Sequence, residues 1–340
     1  MNDFSMNLIL WYEENKRDLP WRHTDDPYRI WVSEIMLQQT RVEAVKPYYA
    51  AFLQEFPTLA SLAQADEDKL LKRWQGLGYY SRARNMKKAA EQCVEFHDGK
   101  LPKDYRKLQS LCGVGAYTAG AVASFAYGIP VLAIDTNVKR VVARYLAIDA
   151  PVGTPQADKP IREFLEKSIP HDRPGAFNQA LIELGATLCG PDRSARCGGC
   201  PLMRTCRAFA ENRTDTLPLR LPKAERRIER RTPLILAIAD GRALQKRGDK
   251  GLLPGLWEVP ALEGFVDEDG VRAYLEKRGC VPRSIKALPP VRHVFTHIVW
   301  EMNAYYVVLD APGDFAFYSQ KEREQLALPS AFKAYYPYFN

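Results

Sequence analysis

Four of the chain's seven cysteines fall within eighteen residues, as Cys189-x7-Cys197-x2-Cys200-x5-Cys206. Thiols packed so densely are bound either to one another or to a metal centre. The first residues, Met1 to Met6, lack the basic and apolar regions of a secretory signal, so a reducing, cytoplasmic setting is expected and disulfides are disfavoured. Structural zinc sites usually pair two short Cys-x2-4-Cys knuckles across a longer spacer, whereas this chain has one short spacer flanked by two longer ones. A compact all-thiolate loop suits a cubane, whose four irons each take one sulfur. The spacing therefore predicts a [4Fe-4S] cluster held by Cys189, Cys197, Cys200 and Cys206, with zinc as the alternative.

The remaining composition sets broad limits. At 340 residues the chain is long enough for two domains. Its longest apolar runs, such as 131–134 and 234–239, are far short of the ~20 residues a bilayer requires, so no membrane partner is expected. The formal charge is +7, and between Arg213 and Arg231 stand seven basic residues against three acidic ones. Such a strip suits phosphate contacts or a solvated linker.

Up to about residue 208 the pattern is helical, with apolar residues at three- and four-residue spacing over 9–14, 28–39, 42–55, 67–74, 82–97, 116–127, 138–146 and 177–188. The texture then changes. Residues 234–239, a turn at Asp240-Gly241 and residues 242–247 read as a β-hairpin, 294–309 as one or two further strands, and 271–277 as a short helix. The expected architecture is multidomain: an all-α domain over 1–208, a basic linker over 209–231, and an α+β domain over 232–340.

Leu111-Cys-Gly113-Val-Gly115, followed by a helix of small residues, is a helix-hairpin-helix signature, in which glycines allow the turn and the next helix offers free N–H groups to a phosphate. An ordinary glycine cap between helices would look similar. Twenty residues past Gly115, Asp135 closes the apolar segment 131–134 and precedes a helix carrying Asn137, where a simple N-cap is the plainer reading. Glu34 lies three or four residues from Ile30, Trp31 and Leu37, on an apolar stripe where a solvated acid is not expected. Burial there would raise its pKa and make it a proton donor near neutrality, unless it merely satisfies an amide or an arginine.

Hairpin, Asp135 and the cysteine loop together resemble the base-excision DNA glycosylases of the endonuclease III superfamily over most of residues 1 to 208. Bifunctional members carry a nucleophilic lysine two residues after the second hairpin glycine. Here that residue is Tyr117, which cannot form an imine, so the resemblance implies a monofunctional enzyme. Leu19-Pro-Trp-Arg22, Trp31-Val-Ser-Glu-Ile-Met-Leu-Gln-Gln-Thr40 and Gly76-Leu-Gly-Tyr-Tyr-Ser-Arg82 are similar to the hallmarks of MutY-type adenine DNA glycosylases. That family implies Glu34 as general acid, Asp135 as stabiliser of the sugar cation, and Tyr117 and Asn137 as their positioning partners. It further implies that Gln39, Thr40 and Tyr79 fill the duplex when the base flips out, while Arg17, Trp21, Gln179 and Ile182 line the adenine pocket.

Gly251 to Pro260 resembles the start of a Nudix domain, but 261–270 lacks the acids that bind magnesium for pyrophosphate hydrolysis. In MutY-type enzymes such a Nudix-like domain reads 8-oxoguanine through a Phe-Ser-His loop, which appears here as Phe295-Thr296-His297. Departures from the family pattern are the seven-residue first cysteine spacer, usually six, which implies a one-residue bulge; Cys112 in place of proline; and Thr136 in place of glycine. The expectation is a monomeric bacterial enzyme, cytoplasmic and nucleoid-associated, acting on double-stranded DNA with adenine opposite 8-oxoguanine or guanine. An endonuclease III-like glycosylase/lyase and a non-catalytic lesion-binding protein are the rivals.

Overall fold

A computed structural model describes residues 2–191, 194–222, 225–248 and 250–339. The chain divides into two compact units, Met1–Gln64 with Asn85–Pro222, and Ala65–Arg84 with Lys223–Asn340. The segment 65–84 thus groups with the C-terminal part, although it sits inside the stretch read from sequence as one helical domain.

The helices are α1 (Asp3–Asn15), α2 (Pro27–Leu37), α3 (Val42–Glu55), α4 (Leu59–Ala63), α5 (Glu67–Trp74), α6 (Ser81–Phe96), α7 (Tyr105–Ser110), α8 (Ala116–Tyr127), α9 (Thr136–Tyr145), α10 (Pro155–Ser168), α11 (Pro174–Thr187) and α12 (Arg207–Ala210). In the first unit α1, α9, α10 and α11 share a core in which Leu8, Val142, Leu165, Phe177 and Leu181 are fully buried. Helix α2 is buried along most of its length, from Tyr28 to Met36 except Arg29, because it packs against α3 on one side and α8 on another. That placement takes Glu34 out of water along with its apolar neighbours.

Helix α9 approaches α11 closely enough that a Cβ added to Gly185 would sit 2.6 Å from Asn137 Cβ, so glycine is what allows the contact. The α8 hairpin divides its glycines by role. Gly113 is left-handed, at φ 73°, whereas Gly115 is the extended N-cap of α8 and provides no side-chain cap.

The second unit is built on β1 (Arg227–Ile238), β2 (Gly241–Ala243), β3 (Gln245–Lys246), β4 (Trp257–Glu258), β5 (Ala261–Glu263), α13 (Glu268–Lys277), β6 (Cys280–Ala287), β7 (Val291–Val294), β8 (Ile298–Met302), β9 (Tyr305–Pro312), β10 (Phe317–Tyr318) and α14 (Gln320–Arg323). The first half of β1 pairs in parallel with β8 and the second half with β9, so this strand is the spine of an eight-stranded sheet. It begins at Arg227, inside the basic stretch expected to be linker; side-chain alternation starts before the apolar run that gave the strand away. Helix α5 joins this unit through Lys72 Nζ, which donates to the Leu326 carbonyl at 3.2 Å, and through a 2.8 Å ion pair between Asp68 and Lys246. No helix among the described residues is long and apolar enough to cross a membrane.

Candidate active site

One cavity of about 1280 Å³ in the first unit is lined by Glu34, Tyr117, Asp135, Asn137, Arg17, Trp21, Gln39, Thr40, Gly113, Gly115, Gln179 and Ile182. Every site residue expected from this unit, the cysteines apart, therefore faces the same space. Five stretches deliver them: the 17–22 segment between α1 and α2, α2 with the turn that follows it, the hairpin with α8, the start of α9, and α11.

Glu34 is 7 % exposed and accepts a 2.6 Å hydrogen bond from the Tyr117 hydroxyl. Burial pushes its carboxyl up to about 7; the Tyr117 hydrogen bond opposes the rise and the charge of Asp135 adds to it. Burial also holds the Tyr117 phenol far above its ordinary value, so the hydroxyl stays a donor. Asp135 caps α9, with Oδ1 accepting from Val138 N at 2.7 Å and Oδ2 from Asn137 Nδ2 at 2.8 Å. The N-cap reading from sequence is thus correct as geometry, and the other oxygen is directed by a second amide. Burial raises the Asp135 pKa, but these bonds hold it back, and Arg140 opposes the rise as well.

Asn137 is oriented in turn. Arg140 Nη2 donates to Asn137 Oδ1 at 2.7 Å and to Gly185 O at 2.8 Å, while its Nε donates to the Cys189 carbonyl at 2.8 Å. A chain of charge-assisted bonds therefore runs from the cysteine loop to Asp135.

Arg22 and Glu183 also matter here, although they were not singled out from sequence. Glu183, fully buried, takes both arms of Arg17 at 2.7 and 2.8 Å and Arg22 Nη2 at 2.7 Å. Burial alone would raise the Glu183 carboxyl, yet the two guanidiniums hold it at about 2. The signals were present: Arg22 ends the Leu-Pro-Trp-Arg motif, and Glu183 stands among the buried residues of α11. The Gln179 side-chain oxygen Oε1 accepts from the buried Tyr12 hydroxyl at 2.8 Å, and Trp21 meets Tyr49 edge-on at 5.4 Å.

The four cysteines line one further cavity, beside Arg144, Leu188 and Phe209. Arg144 Nη1 lies 3.4 Å from Cys189 Sγ, and backbone N–H groups of Leu202 and of Ala208 and Phe209 face Cys200 and Cys206. The donors suit an anionic thiolate set. Among the described residues, no three His, Cys, Asp or Glu side chains are grouped closely enough to hold a metal ion. The first spacer is closed by pairing of Cys189 with Ala195 and by Arg196 N donating to Leu188 O at 2.8 Å. Asp192 and Arg193 lie outside the described residues.

The remaining expected residues belong to the second unit. Tyr79 is 44 % exposed and left-handed at φ 45°, and Gln39 in the first unit is likewise left-handed at φ 57°; both conformations are costly for side chains other than glycine and recur where function requires them. Phe295 N donates to Ile298 O at 2.8 Å, which leaves Thr296 and His297 exposed at the tip between β7 and β8. The hydroxyls of Tyr79 and Thr296 share a hydrogen bond.

Residues 32–171 match the family of HhH-GPD superfamily base excision DNA repair proteins, and residues 234–337 match the NUDIX domain. The chain is 32 % identical to the adenine DNA glycosylase of Buchnera aphidicola over 90 % of its own length and 86 % of that protein. It is 33 % identical to the human adenine DNA glycosylase, covering 97 % of this chain and 72 % of that one. The chain belongs to the adenine DNA glycosylases. The corresponding Arabidopsis thaliana protein is 35 % identical across 91 % of this chain, which spans 57 % of that longer relative. Among solved structures, a thermostable thymine-DNA glycosylase superposes with a TM-score of 0.55 at 28 % identity, covering 61 % of this chain and 95 % of the other. Endonuclease III in a non-covalent DNA complex gives 0.52 at 22 % identity over 62 % of this chain and 98 % of that one, a likeness of fold.

Proposed function

We propose that this glycosylase hydrolyses the N-glycosidic bond of adenine placed opposite 8-oxoguanine or guanine in duplex DNA, in the cytoplasm and as a monomer, and that it leaves the strand intact. The observation that carries the reaction is the pair of unlike carboxyls in one cavity: Glu34, dry and tied to a phenol, and Asp135, bonded twice by amides. Adenine leaves poorly as an anion. Glu34 donates its proton to the adenine N7, so the departing base carries no negative charge. As the bond breaks, positive charge builds on the deoxyribose, and the Asp135 carboxylate offsets it. Water then adds to the sugar carbon and gives a proton to the Glu34 carboxylate, leaving an abasic site, free adenine and Glu34 protonated again. Tyr117 supports this route, since a phenol at the lyase position forms no Schiff base.

A pH profile follows from these assignments. Glu34 must carry its proton, so single-turnover excision falls as pH rises through about 7, approaching tenfold per unit. Asp135 must be ionised, which gives a second fall on the acid side. A rate that keeps rising from pH 7 to 9 contradicts the role of Glu34.

Cys189, Cys197, Cys200 and Cys206 would hold a [4Fe-4S] cluster, with Arg144 beside Cys189 offsetting thiolate charge. Bound there, a cluster would cross-link the 189–206 loop, which Arg140 and Arg144 of α9 join to that helix through the Cys189 and Gly190 carbonyls at 2.8 and 2.6 Å. Purified protein is expected to be brown, absorbing broadly near ~400 nm with about four irons per chain. Stoichiometric zinc in a colourless, active preparation refutes the cluster.

Phe295, Thr296 and His297 would read the base opposite adenine, which differs from guanine by an N–H at N7 and an oxygen at C8. Thr296→Ala and His297→Ala should each reduce the preference for 8-oxoguanine over guanine, with ~1 to 3 kcal/mol at stake for a good set of polar contacts. Point substitutions serve better than truncation near residue 225, which would strip 65–84 of the unit it packs in. Equal preference in variants and parent removes this role from the loop.

A further inference from the structure

The Gly251–Pro260 segment carries one buried acid, Glu258, only 4 % exposed. Glu258 Oε2 accepts from Arg247 Nη1 and lies 3.6 Å from Arg231 Nη1. Arg247 Nε also donates to Leu252 O at 2.9 Å. Both guanidiniums rest over the indole of Trp300, with Arg231 Cζ 4.3 Å and Arg247 Cζ 5.7 Å from the ring centroid. The indole itself is fully buried, and its Nε1 donates to Glu229 Oε2 at 2.8 Å. Trp300 is therefore held at its face by two cations and at its rim by a carboxylate.

Only one aromatic ring separates this assembly from the exposed tip. Phe295 meets Trp300 edge-on, centroids 4.9 Å apart at 72°, and His293 meets Phe295 at 4.6 Å and 67°. Buried ion pairs are poor sources of net stability, because desolvation cancels most of the attraction and apolar replacements often do as well. Three charged groups kept around one indole are better accounted for by what they orient.

We infer that Glu258, Arg231, Arg247 and Trp300 form a platform that fixes the Phe295 ring and, through it, the Thr296–His297 tip. They are positioning residues for discrimination of the base opposite adenine. The inference rests on the proposed reading of that base by the Phe295 loop.

The test measures single-turnover adenine excision opposite 8-oxoguanine and opposite guanine, in full-length protein. Arg247→Met keeps the side-chain stem and removes the cation, and Trp300→Phe keeps an aromatic ring should the first variant fold poorly. Each is expected to lower the ratio of the two rates about tenfold by misplacing the tip, with the rate opposite guanine unchanged. Phe295→Ala should give the same drop, and combining it with Arg247→Met should add nothing further. A merely structural role would depress both rates together, and that result overturns the inference. So does an unchanged ratio in Arg247→Met and Trp300→Phe when Thr296→Ala and His297→Ala lose it, an outcome that leaves the loop's role standing. If all four variants keep the ratio, the reading of the loop itself has failed, and the platform with it.

Discussion

Glu34→Gln will abolish adenine release while leaving duplex binding within a few-fold of the parent. Glutamine has the shape of glutamate and can still meet the Tyr117 hydroxyl, but its amide cannot give up a proton to the base. General acids contribute roughly 10²- to 10⁴-fold to rate, so single-turnover excision should fall by about 10²- to 10⁴-fold. Burial makes the substitution benign for folding. The carboxyl is raised to about 7, so between its unfolded value and that pH the folded state binds the extra proton, and stability declines as pH rises across this window. The amide has no such cost, and Glu34→Gln should be at least as stable as the parent at pH 8. Retained turnover within about tenfold, a barrier change under ~1.4 kcal/mol, would remove Glu34 from the chemistry.

Asp135→Asn should slow excision by a comparable factor, because the amide places no negative charge against the developing sugar cation. Cap and catalyst can be separated here. Asparagine is as good an N-cap as aspartate, and its oxygen can keep the Val138 N–H. The second position is less forgiving. Asn137 directs Nδ2 at Asp135 Oδ2 and cannot flip freely, since Arg140 holds its oxygen at 2.7 Å. Two amide nitrogens would then face each other, a loss of ~1 to 2 kcal/mol in thermal stability. A variant that melts earlier by that amount but excises adenine at the parental rate would show Asp135 to be a helix cap and no more.

How much of this was written in the sequence depends on which force set each feature. Helices with a clear apolar stripe and a proline or glycine at the end, such as α2, α3 and α8, were legible within a few residues. Helix α10 was not, because Pro155 and Pro160 and a run of charges suggest a loop; Pro155 is in fact tolerated at the first turn, and Ala157, Ile161 and Leu165 bury one face. The affiliation of 65–84 with the C-terminal unit was not legible at all. It rests on long-range bonds such as Lys72 to Leu326 and Asp68 to Lys246, which leave no local pattern.

The candidate site shows the same division. Glu34 was recognisable because an acid on an apolar stripe contradicts its surroundings. Asp135 was recognisable because it ends an apolar run before a helix. Glu183 broke the same rule on α11 but lay beside the better-marked Gln179 and Ile182, and its importance appears only when Arg17 and Arg22 close on it in space. The bonds that join Asn137, Arg140 and the Cys189 carbonyl depend on side-chain direction, which residue spacing does not specify.

The central claim is hydrolysis of a single adenine by unlike carboxyls with no strand cleavage. Duplexes carrying one adenine opposite 8-oxoguanine, guanine or thymine, incubated with the purified protein and analysed for free base and for strand integrity before and after alkali, test it directly. Free adenine from the 8-oxoguanine and guanine duplexes, with strands that break only after alkali, is the expected result. Strands already cut before alkali, or no adenine released from any duplex that the protein binds, would contradict it.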